Sequence, residues 1–439
     1  MKPIRIDIPG RVFVDVSTLT HCVPRPNGII RCLLALSREL RDRNADNLHF
    51  CAVRDGRFDA VELDDLFARF IEPEAPPRAR SLPRRLASRL GLGRLRARWN
   101  KAQTPSRRIN DFAPDDWMIS LGGGWNSDTD LRAYRHLKSD HGSRIAFVLY
   151  DLIPILFPHF FRPHIPPMFT PWFTGMIPLA DLAPAISERT KSDFVRYCGQ
   201  QCLPVPPISM LRLGEDFRPL FAGGADWPTG LSEEASFVLS VGTLEVRKNH
   251  LLLYQVWRNL LQSYGHAAIP TLVLAGEPGW LTDDLLAHLR ADPVVAGKIV
   301  HLDRVTDIQL ARLYDACLFT MYPSHYEGWG LPVCESLNRG KVCIASDAGS
   351  IPEIAPELAD THDPLDFMEC RRLVETYLFD PAHRRRREAR IRAEHRPTLW
   401  SDTANQLLDS LTGNYSPPAS STKACRTCFA DNKTLRSSR

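Results

Sequence analysis

The stretch SFVLSVGTLEVRKNH, residues 236–250, decides the fold class. It opens with an apolar run of strand length, which ends at Gly242 and is followed by two adjacent cations, Arg247 and Lys248. From Asn249 onward, apolar residues recur at the spacing of an amphipathic helix. An apolar strand, a glycine turn and a helix in this order are typical of a parallel sheet with crossover helices.

The same alternation of short apolar runs and helical periods continues along the whole chain. A helix is predicted after Gly28, where Ile29, Leu33, Leu36 and Leu40 share one face. The strands predicted outside 236–241 are at 11–17, 48–54, 117–121, 144–149, 181–187, 271–275, 298–302, 318–322 and 342–346. The sequence therefore predicts two α/β domains in succession.

The predicted domain boundaries follow composition. Prolines at 204, 206 and 207 suit a linker, so we place the boundary near residue 205, with a first domain at 1–205 and a second at 206–385. The last helical pattern predicts a helix at 386–412 that packs across both domains. The polar segment 413–439 cannot bury a core and is predicted to be a disordered tail.

Charge excludes some functions and marks one segment. With 55 Lys and Arg against 51 Asp and Glu, the 439-residue chain carries a net charge of +4, too balanced to indicate nucleic-acid binding. The basic insertion at 75–110 is different, because Arg78 to Arg108 holds eleven basic residues and no acidic one. Interleaved leucines and Trp99 suit either an interfacial helix on an anionic membrane or a solvated arginine-rich loop.

Targeting signals are not evident in the sequence. The N-terminal residues lack the continuous apolar stretch of a secretory signal. The longest uncharged span, 163–180, contains five prolines, which disfavour a membrane-spanning helix. We therefore expect a cytoplasmic protein that could also sit peripherally on the inner face of the cell membrane.

A second motif, PSHYEGWGLPVCE at 323–335, carries further chemistry. Gly328 and Gly330 allow a close approach to the backbone, and the proline that follows suits a first helical turn whose free N–H groups favour an anion. Glu327 and Glu335 can accept hydrogen bonds from hydroxyl groups.

The two motifs together fit a nucleotide sugar. The cation pair would neutralise a diphosphate, and the two acids would accept hydrogen bonds from the sugar and ribose hydroxyls. The alternative is that Arg247 and Lys248 are an exposed pair at a helix start, Glu335 is a helix cap and Glu327 is solvated.

These residues are similar to those of a known family. The motifs at 242–249, 327–335 and 346–353 (SDAGSIPE) resemble glycosyltransferase family 4. That family is retaining and metal-independent, and it has the GT-B fold. The resemblance implies two Rossmann-like domains that face each other across a cleft, with a C-terminal helix that crosses back.

The resemblance also implies a role for each matched residue. Arg247 and Lys248 would bind the diphosphate and Glu327 the donor sugar, so these three are the catalytic candidates. On the acceptor side, Asp151 is matched, whereas Tyr150 stands where many relatives have histidine. The residues implied to bind the donor are Gly28, Gly242, Thr243, Val305, Gly328, Trp329, Gly330, Leu331 and Glu335.

The implied function is a retaining hexosyltransferase that acts by same-face substitution. It would move mannose from GDP-mannose to a growing polysaccharide or a lipid-linked oligosaccharide, with a UDP-hexose left open as donor. No metal or other cofactor is expected, and the expected partners are the nucleotide sugar, the glycan acceptor and an anionic membrane surface.

The alternative is a non-catalytic sugar-binding or assembly protein of the same fold. A nicotinamide oxidoreductase is disfavoured because no Gly-x-Gly-x-x-Gly closes the first strand–helix turn.

Overall fold

The computed structural model describes residues 7–21, 28–43, 45–71, 107–126, 128–216 and 226–413. The strands are β1 Val12–Asp15, β2 Leu48–Arg54, β3 Arg57–Ala60, β4 Trp117–Ser120, β5 Arg144–Phe147, β6 Phe237–Val241, β7 Thr271–Ala275, β8 Ile299–Leu302, β9 Thr320–Tyr322, β10 Cys343–Ser346 and β11 Asp360–His362.

The helices alternate with these strands. They are α1 Ser17–His21, α2 Gly28–Asp42, α3 Leu63–Ile71, α4 Asp128–His136, α5 Ile153–Leu156, α6 Ile165–Met176, α7 Glu188–Gln200, α8 His250–Tyr264, α9 Asp283–Ala291, α10 Asp307–Ala316, α11 Leu331–Asn338, α12 Ile351–Ile354, α13 Phe367–Phe379, α14 Pro381–Glu394 and α15 Trp400–Leu411.

The first domain is built on a five-stranded sheet in the order β3-β2-β1-β4-β5. All its neighbouring strands are parallel except β3, which runs antiparallel to β2. Every residue of β1 is buried, as expected for a parallel strand covered by helices on both faces.

The second domain is built on a six-stranded sheet in the order β11-β10-β9-β6-β7-β8, and every pairing in it is parallel. Strand β6 lies between β9 and β7, so the connections leave β6 and β9 in opposite directions along the sheet. Ligands of parallel sheets bind at such a switch point, beyond the carboxyl ends of the strands. The loops after β6 and β9, which hold the two motifs, are therefore neighbours.

The two domains share apolar packing. One cluster of buried side chains includes Leu33 and Leu36 of α2, Leu211 between the domains, Trp329 of the second domain and Leu407 of α15. Burial of such side chains away from water is the main stabilising contribution to the association of the two domains.

The predicted crossing helix at 386–412 is wrong in one respect, because that span holds two helices. α14 ends at Glu394 and α15 begins at Trp400, with Pro397 between them. Proline lacks a backbone N–H and disfavours helix in the residue before it, which accounts for the break. α15 then packs on α2 of the first domain.

The structure also moves the domain boundary beyond residue 205. Ala183 N donates to Pro207 O, and Leu211 N donates to Ala185 O, both at 2.8 Å. The proline segment is therefore paired with the first domain. The predicted strand at 181–187 forms only single bridges, and it contains Pro184.

Two predicted segments lie largely outside the described residues. Of the basic insertion 75–110, only the end is described, where Arg108 bridges Asp59 of β3 and forms an ion pair with it at 2.8 Å. The predicted tail is described only at Gly413. Within the described ranges, no helix combines the length and apolar character needed to cross a bilayer.

Candidate active site

The loops after β6 and β9 bring three charged side chains into contact. Arg247 and Lys248 lie in a short 3₁₀ helix, Val246–Lys248, and Glu327 lies in the loop that follows β9. Glu327 Oε2 is 2.6 Å from Arg247 Nη1, and Glu327 Oε1 is 2.6 Å from Lys248 Nζ. We call these three residues the clamp.

Local backbone geometry fixes the direction of the two cations. Asn249 has a left-handed conformation, with φ 56°, and its Nδ2 donates to Pro323 O at 3.1 Å and to Pro364 O at 2.8 Å. A Cβ atom on Gly276 would lie 2.0 Å from Gly242 O, so the loops after β6 and β7 can pack together only because Gly276 is a glycine. The clamp thus stands on a tightly constrained turn.

The charge state of Glu327 follows from its surroundings. Burial alone would raise the pKa of this carboxyl, but Arg247 and Lys248 outweigh burial and lower the pKa to about 2. Burial would likewise lower the pKa of Arg247, yet Glu327 and Glu245 raise it above its ordinary value. Glu327 is therefore ionised at neutral pH and paired with Arg247 and Lys248, although burial lowers the pKa of Lys248.

The clamp retains donors that could bind an anion. Among the described residues, the buried Nε of Arg247 has no hydrogen-bond partner. Lys248 Nζ carries three N–H donors, of which Tyr322 Oη and Glu327 Oε1 accept two, both at 2.6 Å. Unsatisfied buried donors are uncommon, and they suit a bound phosphate oxygen.

The first domain meets the second domain at the clamp. A Cβ atom on Gly328 would lie 2.4 Å from Tyr150 O and 2.8 Å from Asp151 Cβ. We predicted that Gly328 gives room to a ligand, and in this structure its close neighbour is the first domain. Burial raises the pKa of Asp151, while the charge of Arg247 opposes that rise, so the Asp151 carboxyl lies within the field of the clamp.

Glu335 belongs to a different cluster. Tyr314 Oη donates to Glu335 Oε2 at 2.7 Å, and Arg31 of α2 places Nη1 3.7 Å from Glu335 Oε1. Arg31 Nη2 also lies 3.0 Å from Asp307 Oδ1 at the start of α10. We call Arg31, Asp307, Tyr314 and Glu335 the bridging cluster, since it joins the two domains. Burial raises the pKa of Glu335, against the lowering effects of Arg31 and Tyr314.

The remaining predicted donor residues of the second domain surround these two clusters. Gly330 is the N-cap of α11, with φ 152°, and Leu331 is the first helical residue. Gly242 has φ 148°, and a Cβ atom there would lie 3.7 Å from Lys248 Cε. Thr243 and Val305 are both half-buried.

Two predicted donor residues stand apart from the clamp side chains. The Trp329 ring is buried in the shared core under the Arg212 guanidinium, 5.4 Å from the ring centroid, so its indole does not line the cleft. Gly28 is the exposed first residue of α2, and a Cβ atom there would contact nothing within 4 Å.

A pocket adjoins the bridging cluster. It lies between α2, α11 and the segment that connects the domains. Its lining includes Arg31, Arg38, Leu331, Glu335 and Trp400. Glu335, which the resemblance implies binds the ribose, is therefore part of the lining of this pocket.

Three contacts are not predictable from the sequence pattern. The contact of Arg31 with Glu335 depends on how the two domains face each other. Tyr314 lies on a helix, and a contact of its hydroxyl leaves no signal in the apolar spacing of that helix. Tyr326, next to Glu327, donates to Asp193 of the first domain, which also could not be seen in the sequence.

In the ranges that the structure describes, no group of three or more His, Cys, Asp or Glu side chains could hold a metal ion.

The fold defines the class of protein. The structure resembles sucrose-phosphate synthase from Thermosynechococcus elongatus with a TM-score of 0.56 and 16% identity, covering 91% of this chain and 97% of that one. It resembles Anabaena HepE in complex with UDP and glucose with a TM-score of 0.53 and 15% identity, covering 92% and 96%. At these identities the likeness shows the fold, which is GT-B, as predicted.

The second domain has a more specific match. Residues 225–386 match the family described as Glycosyl transferases group 1, and this match includes the clamp and Glu335. The chain is also 32% identical over 179 residues to the O-antigen chain mannosyltransferase B of Escherichia coli. That alignment covers 40% of this chain and 45% of the relative, so it spans less than half of the relative's length.

These findings confirm the resemblance to bacterial GT-B glycosyltransferases of the mannosyltransferase type. The second domain is similar to the Glycosyl transferases group 1 family over residues 225–386.

Proposed function

We propose that this protein is a retaining hexosyltransferase that transfers mannose from GDP-mannose to a growing polysaccharide or a lipid-linked oligosaccharide. The observation that carries the proposal is the clamp, in which two cations hold an ionised carboxylate at the switch point of a domain similar to the Glycosyl transferases group 1 family. This arrangement offers positive charge to a diphosphate and a fixed acceptor to a sugar hydroxyl.

The donor would lie along the loops of the second domain. Its diphosphate would take the unused donors of Arg247 and Lys248 together with the N-terminus of α11. A hydroxyl of the transferred sugar would donate to Glu327, and the ribose diol would donate to Glu335. The first domain would present the acceptor from the side of Tyr150 and Asp151.

The reaction would proceed by substitution on one face of the sugar. The bond between the anomeric carbon and the phosphate oxygen breaks, while the acceptor hydroxyl oxygen forms the new bond from the same face. The hydroxyl proton passes to the departing phosphate, so the products are the glycoside and a nucleoside diphosphate.

The clamp favours this route over a double displacement. A covalent glycosyl-enzyme needs a carboxylate free to attack, and both oxygens of Glu327 are bound to cations. In this proposal, Arg247 and Lys248 neutralise the charge that grows on the leaving group, so no metal is required.

The donor is proposed from similarity. The Escherichia coli relative is named as a mannosyltransferase, which supports mannose, and the same cleft could be tested with a UDP-hexose because HepE was solved with UDP and glucose. The peripheral association with an anionic membrane, by way of the basic insertion, remains a proposal that concerns residues outside those described.

The test is transfer by the full chain. GDP-mannose and UDP-glucose are each incubated with a mannose-terminated lipid-linked oligosaccharide in EDTA, and the product's anomeric configuration is determined by NMR. We expect transfer from GDP-mannose with retention of the α configuration. Inversion would refute the mechanism, and binding of nucleotide sugars without turnover on any glycan would favour the sugar-binding alternative.

A further inference from the structure

Tyr326 belongs to the second domain, but its side chain lies among residues of the first. It is 7% exposed. Its ring centroid is 4.7 Å from that of Phe157, and the Arg189 guanidinium stacks 5.2 Å from it. Its hydroxyl donates to Asp193 Oδ2 and accepts from Arg189 Nε at 2.5 Å. Both of these hydrogen bonds of the phenol hydroxyl are therefore made with first-domain groups.

The main chain of Tyr326 is bound to the clamp. Its carbonyl accepts from Arg247 Nη1 at 2.8 Å, and the next residue is Glu327. The other flank of Glu327 is also held by the first domain, because Ser187 Oγ donates to Gly328 O at 3.0 Å. First-domain groups thus form hydrogen bonds with Tyr326 and Gly328, the residues on either side of Glu327.

We propose that Tyr326, with Asp193 as its acceptor, is a positioning residue that sets the geometry of Glu327 and Arg247 when the domains are closed. This inference rests on the proposed transferase function. Small displacements of reacting groups reduce rates strongly, so a loop held from the opposite domain would reach reactive geometry only in the closed state. The clamp lies in the second domain, and neither it nor the predicted donor contacts include the phenol.

The inference predicts that turnover and nucleotide binding separate. Tyr326→Phe keeps the ring, its packing and the carbonyl, and it removes only the hydroxyl. Since Asp193 is a buried carboxylate, with a side chain 3% exposed, its hydrogen bond is of the charge-assisted kind. We expect kcat for transfer to fall about 10- to 100-fold, with the Kd for GDP unchanged within about twofold.

Three variants give the controls. Asp193→Asn keeps an acceptor oxygen for the Tyr326 hydroxyl and should retain much of the wild-type kcat. Asp193→Ala removes the acceptor and should lower kcat as Tyr326→Phe does. Tyr254→Phe is the matched control, because the Tyr254 hydroxyl donates to Asp292 at 2.7 Å within the second domain alone. It should leave kcat unchanged.

A second measurement does not depend on turnover. Amide hydrogen exchange at residues 324–331 should be faster in Tyr326→Phe than in the wild-type chain and unchanged in Tyr254→Phe. A wild-type chain without transfer activity would refute the proposed function, and exchange would still decide the positioning role. Unchanged exchange, unchanged kcat in an active enzyme, or equal losses of kcat and GDP affinity would each overturn the inference.

Discussion

Glu327 and Glu335 are both buried carboxylates of the second domain, but their environments shift their pKa values in opposite directions. Two cations of its own domain lower the pKa of Glu327 to about 2. Burial raises the pKa of Glu335, whose partners are Tyr314 and an arginine that comes from the other domain. The ion pairs of Glu327 are thus formed within one domain, whereas the partners of Glu335 come from both domains.

This difference suggests separate roles for Glu327 and Glu335. A carboxylate bound on both oxygens by cations of its own domain keeps its charge in every domain arrangement, which suits contact with the transferred sugar. A carboxylate held across the cleft changes partners when the domains move, which suits a group that must take up and release a nucleotide. The following predictions test this contrast.

The largest effect is expected at the clamp. Arg247→Ala removes a charge that would neutralise the leaving diphosphate, so turnover should fall about 100- to 1000-fold. The measurement is the initial rate of transfer from GDP-mannose at saturating donor. Arg258→Ala is the control, because Arg258 lies on α8 outside the clamp and pairs with Asp292 at 2.8 Å. A variant that kept more than a tenth of the turnover would refute the phosphate assignment.

The next effect concerns stability and pH. Glu327 has a pKa of about 2 in the folded protein against an ordinary 4.5, so its charge stabilises the fold above pH 4.5, and this contribution is lost as the pH falls toward 2. Because Glu327→Gln removes this charge, its pH-dependent loss in the free energy of unfolding should be about 3 kcal/mol at pH 7 and roughly half as much at pH 3. Urea unfolding at both pH values measures it, with the exposed Glu394→Gln as control. An equal difference between wild type and Glu327→Gln at the two pH values would contradict the assigned charge state.

A smaller effect is expected in the bridging cluster. Tyr314→Phe removes the hydrogen bond that orients Glu335 Oε2, and it also removes one of the influences that lower the pKa of this carboxyl. Binding of GDP should weaken about 2- to 10-fold, as for loss of a typical hydrogen bond. Titration calorimetry at pH 7.5 measures the Kd, and Tyr254→Phe should bind GDP as wild type does. Unchanged affinity in Tyr314→Phe would separate Glu335 from the nucleotide.

The smallest effect is a shift in pH dependence. Arg31 lowers the pKa of Glu335, so Arg31→Gln should let this carboxyl become protonated at a higher pH. The acid limb of GDP binding should therefore move to higher pH, with little change at pH 8. Calorimetric Kd values between pH 5 and pH 8 test this shift. A limb at the wild-type position would show that Arg31 does not reach Glu335 in solution.

The sequence predicted the elements that depend on local pattern. β6 and α8 fall within a residue or two of the expected strand and helix, because the apolar run, the glycine and the helical spacing are contiguous. The contact of Arg247 and Lys248 with Glu327 depends on β9 lying beside β6. The residue pattern alone does not predict this strand order, and only the family resemblance indicated it.

The features that were missed depend on how separate parts of the chain pack. A single helix was predicted at 386–412 because the apolar spacing continues on both sides of Pro397, and the spacing alone does not show that one proline ends a helix. The paired segment after residue 205 looked like a linker, since proline disfavours helix but is compatible with an extended edge segment. The reach of Arg31 and the burial of Tyr326 in the opposite domain depend on the orientation of two domains, which no local pattern encodes.

The break at Pro397 has a mechanical consequence. The chain passes between the domains twice, near 211–216 and near 395–399, and the two passages are hydrogen-bonded to each other: Glu215 N donates to Thr398 O and Trp400 N donates to Asp216 Oδ1, both at 2.8 Å. Two connecting segments that are hydrogen-bonded to each other resist twisting and sliding of the domains better than one segment would. We therefore expect the relative motion of the two domains to be mainly a rotation about this pair of segments.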